Sequence, residues 1–255
     1  MDFRDRTVLV TGASRGIGAA IAKAFAAECA TVIVNYRENR EAAESVAQAC
    51  RAAGGNALAI AADVTDPDQV AAMIAEVSDQ AGRLDALVNN AFAPYVFDPE
   101  QRASFEETPW SAYRSQIDGA LKAAFNLAQA VLPLMKRQAG GSIISIASDL
   151  TMRPSVPYHD YITAKSALTG FSRTLAAELG GFGIRVNCVA PGLIYPTDAS
   201  RRTPEAVKEA LIAQTPLRRI GTVDDVTGPV LFLASPWSRF LTGQTLYCDG
   251  GLVMG

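Results

Sequence analysis

The chain of 255 residues has one histidine, four cysteines and no run of like charge. Cys29, Cys50, Cys188 and Cys248 are scattered without C-x-x-C spacing, which points to free buried thiols rather than a metal site or a disulfide framework. The formal net charge is only −3, from 23 Lys and Arg against 26 Asp and Glu, so the basic stripe that nucleic-acid binding needs is missing. Apolar stretches are short and broken by polar residues, and Met1-Asp2-Phe3-Arg4-Asp5-Arg6 has no apolar signal core. Both absences argue against secretion or membrane spanning and predict a cytoplasmic protein.

What is present suits one α/β domain over residues 1–255, because 49% of the residues are apolar and can bury a large core. Strand-like runs at Thr7–Val10, Thr31–Tyr36, Ala57–Ala61, Leu84–Asn89, Ser142–Ala147, Ile184–Ala190 and Thr245–Cys248 alternate with alanine-rich helical stretches. Those stretches are Ala19–Ala30, Glu41–Ala53, Pro67–Ala81, Ser111–Gln138, Tyr158–Leu179, Pro204–Gln214 and Val223–Ala234. The alternation predicts a doubly wound, mostly parallel sheet of seven strands covered by helices on both faces. Phe92–Pro109 and Leu193–Arg219 are long and interrupted by proline. Loops at the carboxyl ends of strands line the ligand crevice of such a sheet, so these segments are candidates for substrate contact and, at 193–219, for a lid.

Two constellations carry chemistry. Tyr161 precedes Lys165 by four residues, which puts both on one face of a helix. A free phenol and a free ammonium titrate near pH 10, and an ammonium beside a phenol favours the phenolate, so the pair is a proton-transfer device. At the other end of the chain, Thr7–Val10 runs into Thr11-Gly12-Ala13-Ser14-Arg15-Gly16-Ile17-Gly18 and then a helix. Strand, glycine turn and helix aim backbone N–H groups at a pyrophosphate, although the spacing is neither G-x-G-x-x-G nor a P-loop.

Together these residues resemble the short-chain dehydrogenase/reductase family over essentially the whole chain. The matches are Thr11, Gly12, Gly16 and Gly18; Ser148, thirteen residues before Tyr161; and, in the family's order, Asp63-Val64, Asn89-Asn90-Ala91, Pro191-Gly192 and Asp249-Gly250-Gly251. Within the family the chain is most similar to 3-oxoacyl-(acyl-carrier-protein) reductases, judged by Gly170–Arg173 and Thr242–Leu246. The resemblance implies a Rossmann-like fold and catalytic roles for Ser148, Tyr161 and Lys165. It also implies a dinucleotide held by Gly12, Ser14, Arg15, Gly16, Ile17 and Gly18, by Tyr36, Arg37, Asp63, Val64, Asn90 and Ala91, and by Tyr161, Lys165, Pro191, Gly192, Ile194 and Thr197.

The second strand ends in Asn35-Tyr36-Arg37, with no carboxylate to meet a ribose 2′-hydroxyl. By the same resemblance Arg15 and Arg37, two guanidinium groups able to fork onto a phosphate, imply NADPH rather than NADH, unless both are solvated surface residues. The expected reaction is hydride transfer to a ketone, with Tyr161 donating the proton, Lys165 lowering its pKa and Ser148 holding the carbonyl oxygen, unless Ser148 is only a turn residue before Asp149. Phe92, Met152, Tyr158 and Tyr195 are the candidate substrate contacts, and no metal is implied. His159, two residues before Tyr161, is expected to line the pocket or make a surface hydrogen bond. Arg153 either meets an anionic substrate or faces solvent.

Three departures from the family pattern stand out. Ala120 occupies the place of an asparagine that holds a relay water behind the lysine, Phe92 follows Asn89-Asn90-Ala91 where glycine is usual, and Tyr195-Pro196 displaces Thr197 by one residue. Ala139 and Phe182 stand where carrier-docking reductases present basic residues. Partners are thus a small carbonyl substrate and, more loosely, an acyl carrier protein, with a homotetramer expected by resemblance alone. A small ketone, a quinone, a steroid-like or other secondary alcohol, or a silent NADP(H)-binding regulator remain as alternatives.

Overall fold

The computed structural model of the chain describes residues 1–254. Its seven strands are β1 (Thr7–Val10), β2 (Thr31–Tyr36), β3 (Asn56–Ala61), β4 (Ala86–Asn89), β5 (Gly141–Ile146), β6 (Ile184–Pro191) and β7 (Thr245–Cys248). They form one sheet in the order β3-β2-β1-β4-β5-β6-β7, and every pair is parallel, not merely most of them. The helices are α1 (Gly16–Ala27), α2 (Arg40–Ala52), α3 (Pro67–Ala81), α4 (Trp110–Ile117), α5 (Ala123–Arg137), α6 (His159–Leu179), α7 (Glu205–Gln214) and α8 (Val223–Ala234).

Strand alternation divides the core between the two faces. Val8, Val10, Val32 and Val34 pack with Ile21, Phe25, Val46 and Val230 under α1, α2 and α8. Leu9, Ile33, Leu87 and Ile143 pack with Met73, Leu127 and Leu179 under α3, α5 and α6. Each fully buried large side chain contributes about 1.5–3 kcal/mol of transfer free energy, and with helices on both faces the strands can be apolar throughout. Caps fix several helix starts: the Asp66 carboxylate accepts from the N–H groups of Asp68 and Gln69, with Pro67 at the first helical position, and Thr222 and Asp225 form a reciprocal capping box on α8.

The predicted helix over 111–138 is broken. Between α4 and α5 the chain takes a π-turn at Asp118–Lys122, holding Ala120, which is 4% exposed. A Cβ at Gly119 would lie 2.4 Å from the Ala93 nitrogen, so only glycine lets this turn approach the loop after β4 so closely. Sequence periodicity cannot register one extra residue in a turn. β1 and β4 are neighbours in the sheet although β2 and β3 come between them in the chain, and the reversal of strand order at that point opens a crevice at the carboxyl ends of the strands. Among the described residues no helix is long and apolar enough to cross a membrane.

Candidate active site

β1 hands the chain to the glycine turn, which is tied down by three side chains. The Thr11 hydroxyl donates to the Val88 carbonyl (3.1 Å) and accepts from the N–H groups of Asn90 (3.0 Å) and Ala91 (3.1 Å). The Asn90 amide donates to the carbonyls of Thr11 and Gly12. Asn35, buried at the end of β2, accepts from the Gly12 N–H (3.3 Å) and donates to the Ala62 carbonyl (3.1 Å). Sequence reasoning treated Asn35 only as the absence of an acid; its signal was a polar residue inside an otherwise apolar strand.

Gly12 has a positive φ of 60°, and a Cβ at Gly18 would meet the Asn90 amide nitrogen at 2.5 Å and the Gly12 oxygen at 2.6 Å. Arg15, at the N-cap of α1, makes no side-chain cap bond, and the first turn holds no acid. Its N–H groups and the helix dipole therefore face the crevice without a built-in acceptor, a donor set that fits a pyrophosphate.

The crevice is a cavity of about 1580 Å³. All the expected cofactor-binding residues line it except Gly18, which lies beneath the turn, and Phe92 and Tyr158 line it as well. Met152 and Tyr195 do not: Met152 is 62% exposed, and the ring of Tyr195 lies under the Lys208 ammonium at 4.3 Å. The Arg153 guanidinium donates to the Gln214 side chain, joining the loop after β5 to α7, and His159 packs edge-on against Phe105 outside the cavity. Arg15 pairs with Asp198 (2.9 Å) and Arg37 with Glu38 (2.8 Å), both on solvated side chains. Asp63 accepts from the Thr65 N–H and hydroxyl, and the Thr197 and Ser200 hydroxyls lie 2.8 Å apart.

At the inner end of the cavity, β5 and α6 bring Ser148, Tyr161 and Lys165 together, all three buried. The Lys165 ammonium donates to the Ile146 carbonyl at 2.7 Å, and its desolvation lowers its pKa to about 8. Burial pushes the Tyr161 phenol upward, opposed by the Ser148 hydroxyl, and Asp149 pushes the same way as burial. The Lys165 ammonium lies 5.8 Å from the Tyr161 ring centre, and desolvation is the largest influence on the phenol. The phenol is held as the acid. Ser148 also acts as the turn residue that sequence allowed, since its oxygen accepts from the Leu150 N–H (3.3 Å).

Two features lay outside the sequence expectations. Asp149, buried beside Ser148, accepts a long hydrogen bond of 3.4 Å from the Ser148 hydroxyl, and burial together with Asp249 raises its pKa to about 7. A group of rings surrounds Tyr161: Phe97 at 5.0 Å, Tyr95 at 5.1 Å and Phe92 at 6.2 Å between centroids. Phe92 and Tyr158 were expected near the site. Tyr95 and Phe97 were not singled out, although Phe92-Ala-Pro-Tyr-Val-Phe97 is a conspicuous aromatic run in a loop.

The arrangement can bind a dinucleotide along the glycine turn and donate a proton at its inner end. Residues 12–253 match the family described as enoyl-(acyl carrier protein) reductase. A 3-oxoacyl-[acyl-carrier-protein] reductase of Staphylococcus aureus is 39% identical over 249 residues, 98% of each chain. Among solved structures, a gluconate 5-dehydrogenase from Burkholderia cenocepacia in complex with NADP and tartrate superposes with a TM-score of 0.89 at 34% identity, covering 98% of this chain and 96% of that one. A short-chain type dehydrogenase/reductase from Mycobacterium ulcerans superposes with a TM-score of 0.90 at 30% identity, covering 99% and 91%.

Proposed function

Because the chain belongs to the short-chain dehydrogenase/reductase family and is an oxidoreductase of that family, we propose that it is an NADPH-dependent reductase of a ketone, with a 3-oxoacyl thioester as the substrate class that its relatives favour. The observation that carries this reading is the burial of Tyr161 and Lys165 on one face of α6, at the inner end of a crevice whose outer end is an uncapped helix N-terminus.

When bound, the reduced nicotinamide supplies a hydride to the carbonyl carbon. Ser148 donates a hydrogen bond to the carbonyl oxygen and positions it. Tyr161 delivers its proton to that oxygen as negative charge develops there, yielding the secondary alcohol, and a phenol held protonated by burial suits the reduction direction. Lys165 places a positive charge behind the ring and offers N–H groups to the ribose, while the Ile146 carbonyl holds it where an asparagine relay is absent. Arg15 and Arg37 would grip a 2′-phosphate, Arg15 exchanging Asp198 for it and Arg37 exchanging Glu38. Residues 193–219 act as the substrate lid of a single catalytic domain spanning 1–255. A cytoplasmic homotetramer accords with the reading.

A second reading, a free ketone, quinone or secondary alcohol without a carrier, is favoured by the docking positions. Phe182 is an exposed ring with the Lys136 ammonium over it at 4.0 Å, and neither Ala139 nor Phe182 supplies the cation expected at those positions. NADPH oxidation with β-keto thioesters on carrier and on N-acetylcysteamine, beside free ketones and with NADH as the control, separates the readings. NADPH binding without turnover of any carbonyl would instead favour the silent regulator.

A further inference from the structure

The loop that follows β4 is tied to the rest of the fold at Tyr95 and Phe97. The Phe97 N–H donates to the Ala199 carbonyl at 2.9 Å, joining it to the segment after β6, and the Tyr95 hydroxyl donates to the Asp160 carboxylate at 3.0 Å, joining it to the start of α6. The two anchored rings meet Tyr158 and Tyr161 at defined angles. Phe97 stands at 87° to Tyr161, and Tyr95 at 90° to Tyr158 with centroids 5.8 Å apart. Phe97 also meets Tyr158 at 5.4 Å. Tyr95, Phe97, Tyr158 and Tyr161 all line the cavity, and Val207 and Leu211 of α7 line it too.

We infer that the ketone reduced at this site carries a flat, uncharged ring, aromatic or conjugated alicyclic, bonded directly to its reacting carbonyl. The inference rests on the reading of the protein as a carbonyl reductase and applies whether the ketone is free or part of a thioester. Aromatic faces and edges at near right angles complement a planar ring, which adds edge-to-face contacts beyond its buried area. A ring also has few torsions to lose, whereas a linear chain of equal carbon number surrenders several on entering a fixed slot. The rings themselves carry no charge: burial holds Tyr95 well above the ordinary phenol range and pushes Tyr158 up to about 12, so both stay neutral.

The test compares an aryl methyl ketone with the linear methyl ketone of the same carbon number, and 3-oxo-3-phenylpropanoyl with 3-oxononanoyl N-acetylcysteamine thioester. The readout is NADPH oxidation by the wild-type chain and by Phe97→Leu and Tyr95→Leu. NADPH fluorescence on binding reports that each variant is folded. The expected result is a kcat/KM ratio of about threefold to tenfold in favour of the ring in each pair, falling toward one in both variants. A ratio of one or below in the wild type, or one that the variants leave unmoved, overturns the inference. Turnover of linear ketones alone sinks the ring and leaves the reductase standing; turnover of no ketone sinks both.

Discussion

The ammonium of Lys165 donates to the carbonyl of Ile146 at 2.7 Å, and that contact anchors the inner end of the crevice by a main-chain atom of β5. The face of Phe92 lies 5.1 Å from the same nitrogen. Lys165 is thus held from two sides without the side-chain relay that Ala120 cannot provide.

Burial lowers Lys165 from 10.5 to about 8, which makes it a site of stored instability. Between those values the unfolded chain binds more protons than the folded one, so stability climbs as pH rises from 8 to 10.5, and below 8 the full cost remains. Lys165→Met should raise the urea midpoint at pH 7 by an amount equivalent to on the order of 3 kcal/mol, a gain that shrinks toward zero near pH 10.5, while reductase turnover collapses.

Asp149 behaves oppositely in sign. Its carboxyl is raised from 3.8 to about 7, so it is protonated in both states below 3.8 and ionised in both above 7. The native state binds the extra proton in between, and stability falls across that window as pH rises. Asp149→Asn should flatten the pH dependence of the melting temperature between pH 4 and 7, and should be the more stable protein at pH 8.

Ala120 is buried in the π-turn. Ala120→Asn should destabilise the fold by about 1–3 kcal/mol through overpacking and should raise kcat by no more than about threefold, because Lys165 already has its acceptor. A tenfold rise, measured under NADPH saturation, would show that a relay water had been missing.

Cofactor selectivity gives another test. Arg37→Ala and Arg15→Ala should each weaken NADPH binding by about tenfold, the scale of one charge-assisted hydrogen bond, and leave NADH nearly unchanged. Asp198→Asn should tighten NADPH, since Arg15 then has no competing carboxylate. Titrating nicotinamide fluorescence in all three variants measures both effects, and equal losses for NADH and NADPH would remove the arginines from the 2′-phosphate.

Much of this was legible in the chain because it depends on local pattern. Short β-branched runs such as Thr7–Val10 and Thr31–Tyr36 fix the strands, and the glycine turn and the spacing from Ser148 through Tyr161 to Lys165 fix which ends meet. Contacts made across the fold were not legible. No periodicity reveals that Asn35 supports Gly12 from the next strand, that Ile146 receives Lys165, or that Asp149 and Asp249 face one region around Gly192. Met152 and Tyr195 were placed by nearness in sequence to the site, but a side chain on a loop turns outward or inward according to packing that sequence distance does not encode.

The central claim is that the Tyr161 phenol is the proton donor in ketone reduction. It is tested most directly by Tyr161→Phe, followed as single-turnover NADPH oxidation at pH 7 with a saturating ketone that the wild type reduces, beside NADPH binding by fluorescence. The account predicts a rate reduced by about 10²–10⁴-fold, the range for a positioned general acid, with NADPH affinity changed by no more than about threefold. A variant that oxidises NADPH within about threefold of the wild-type rate would contradict it.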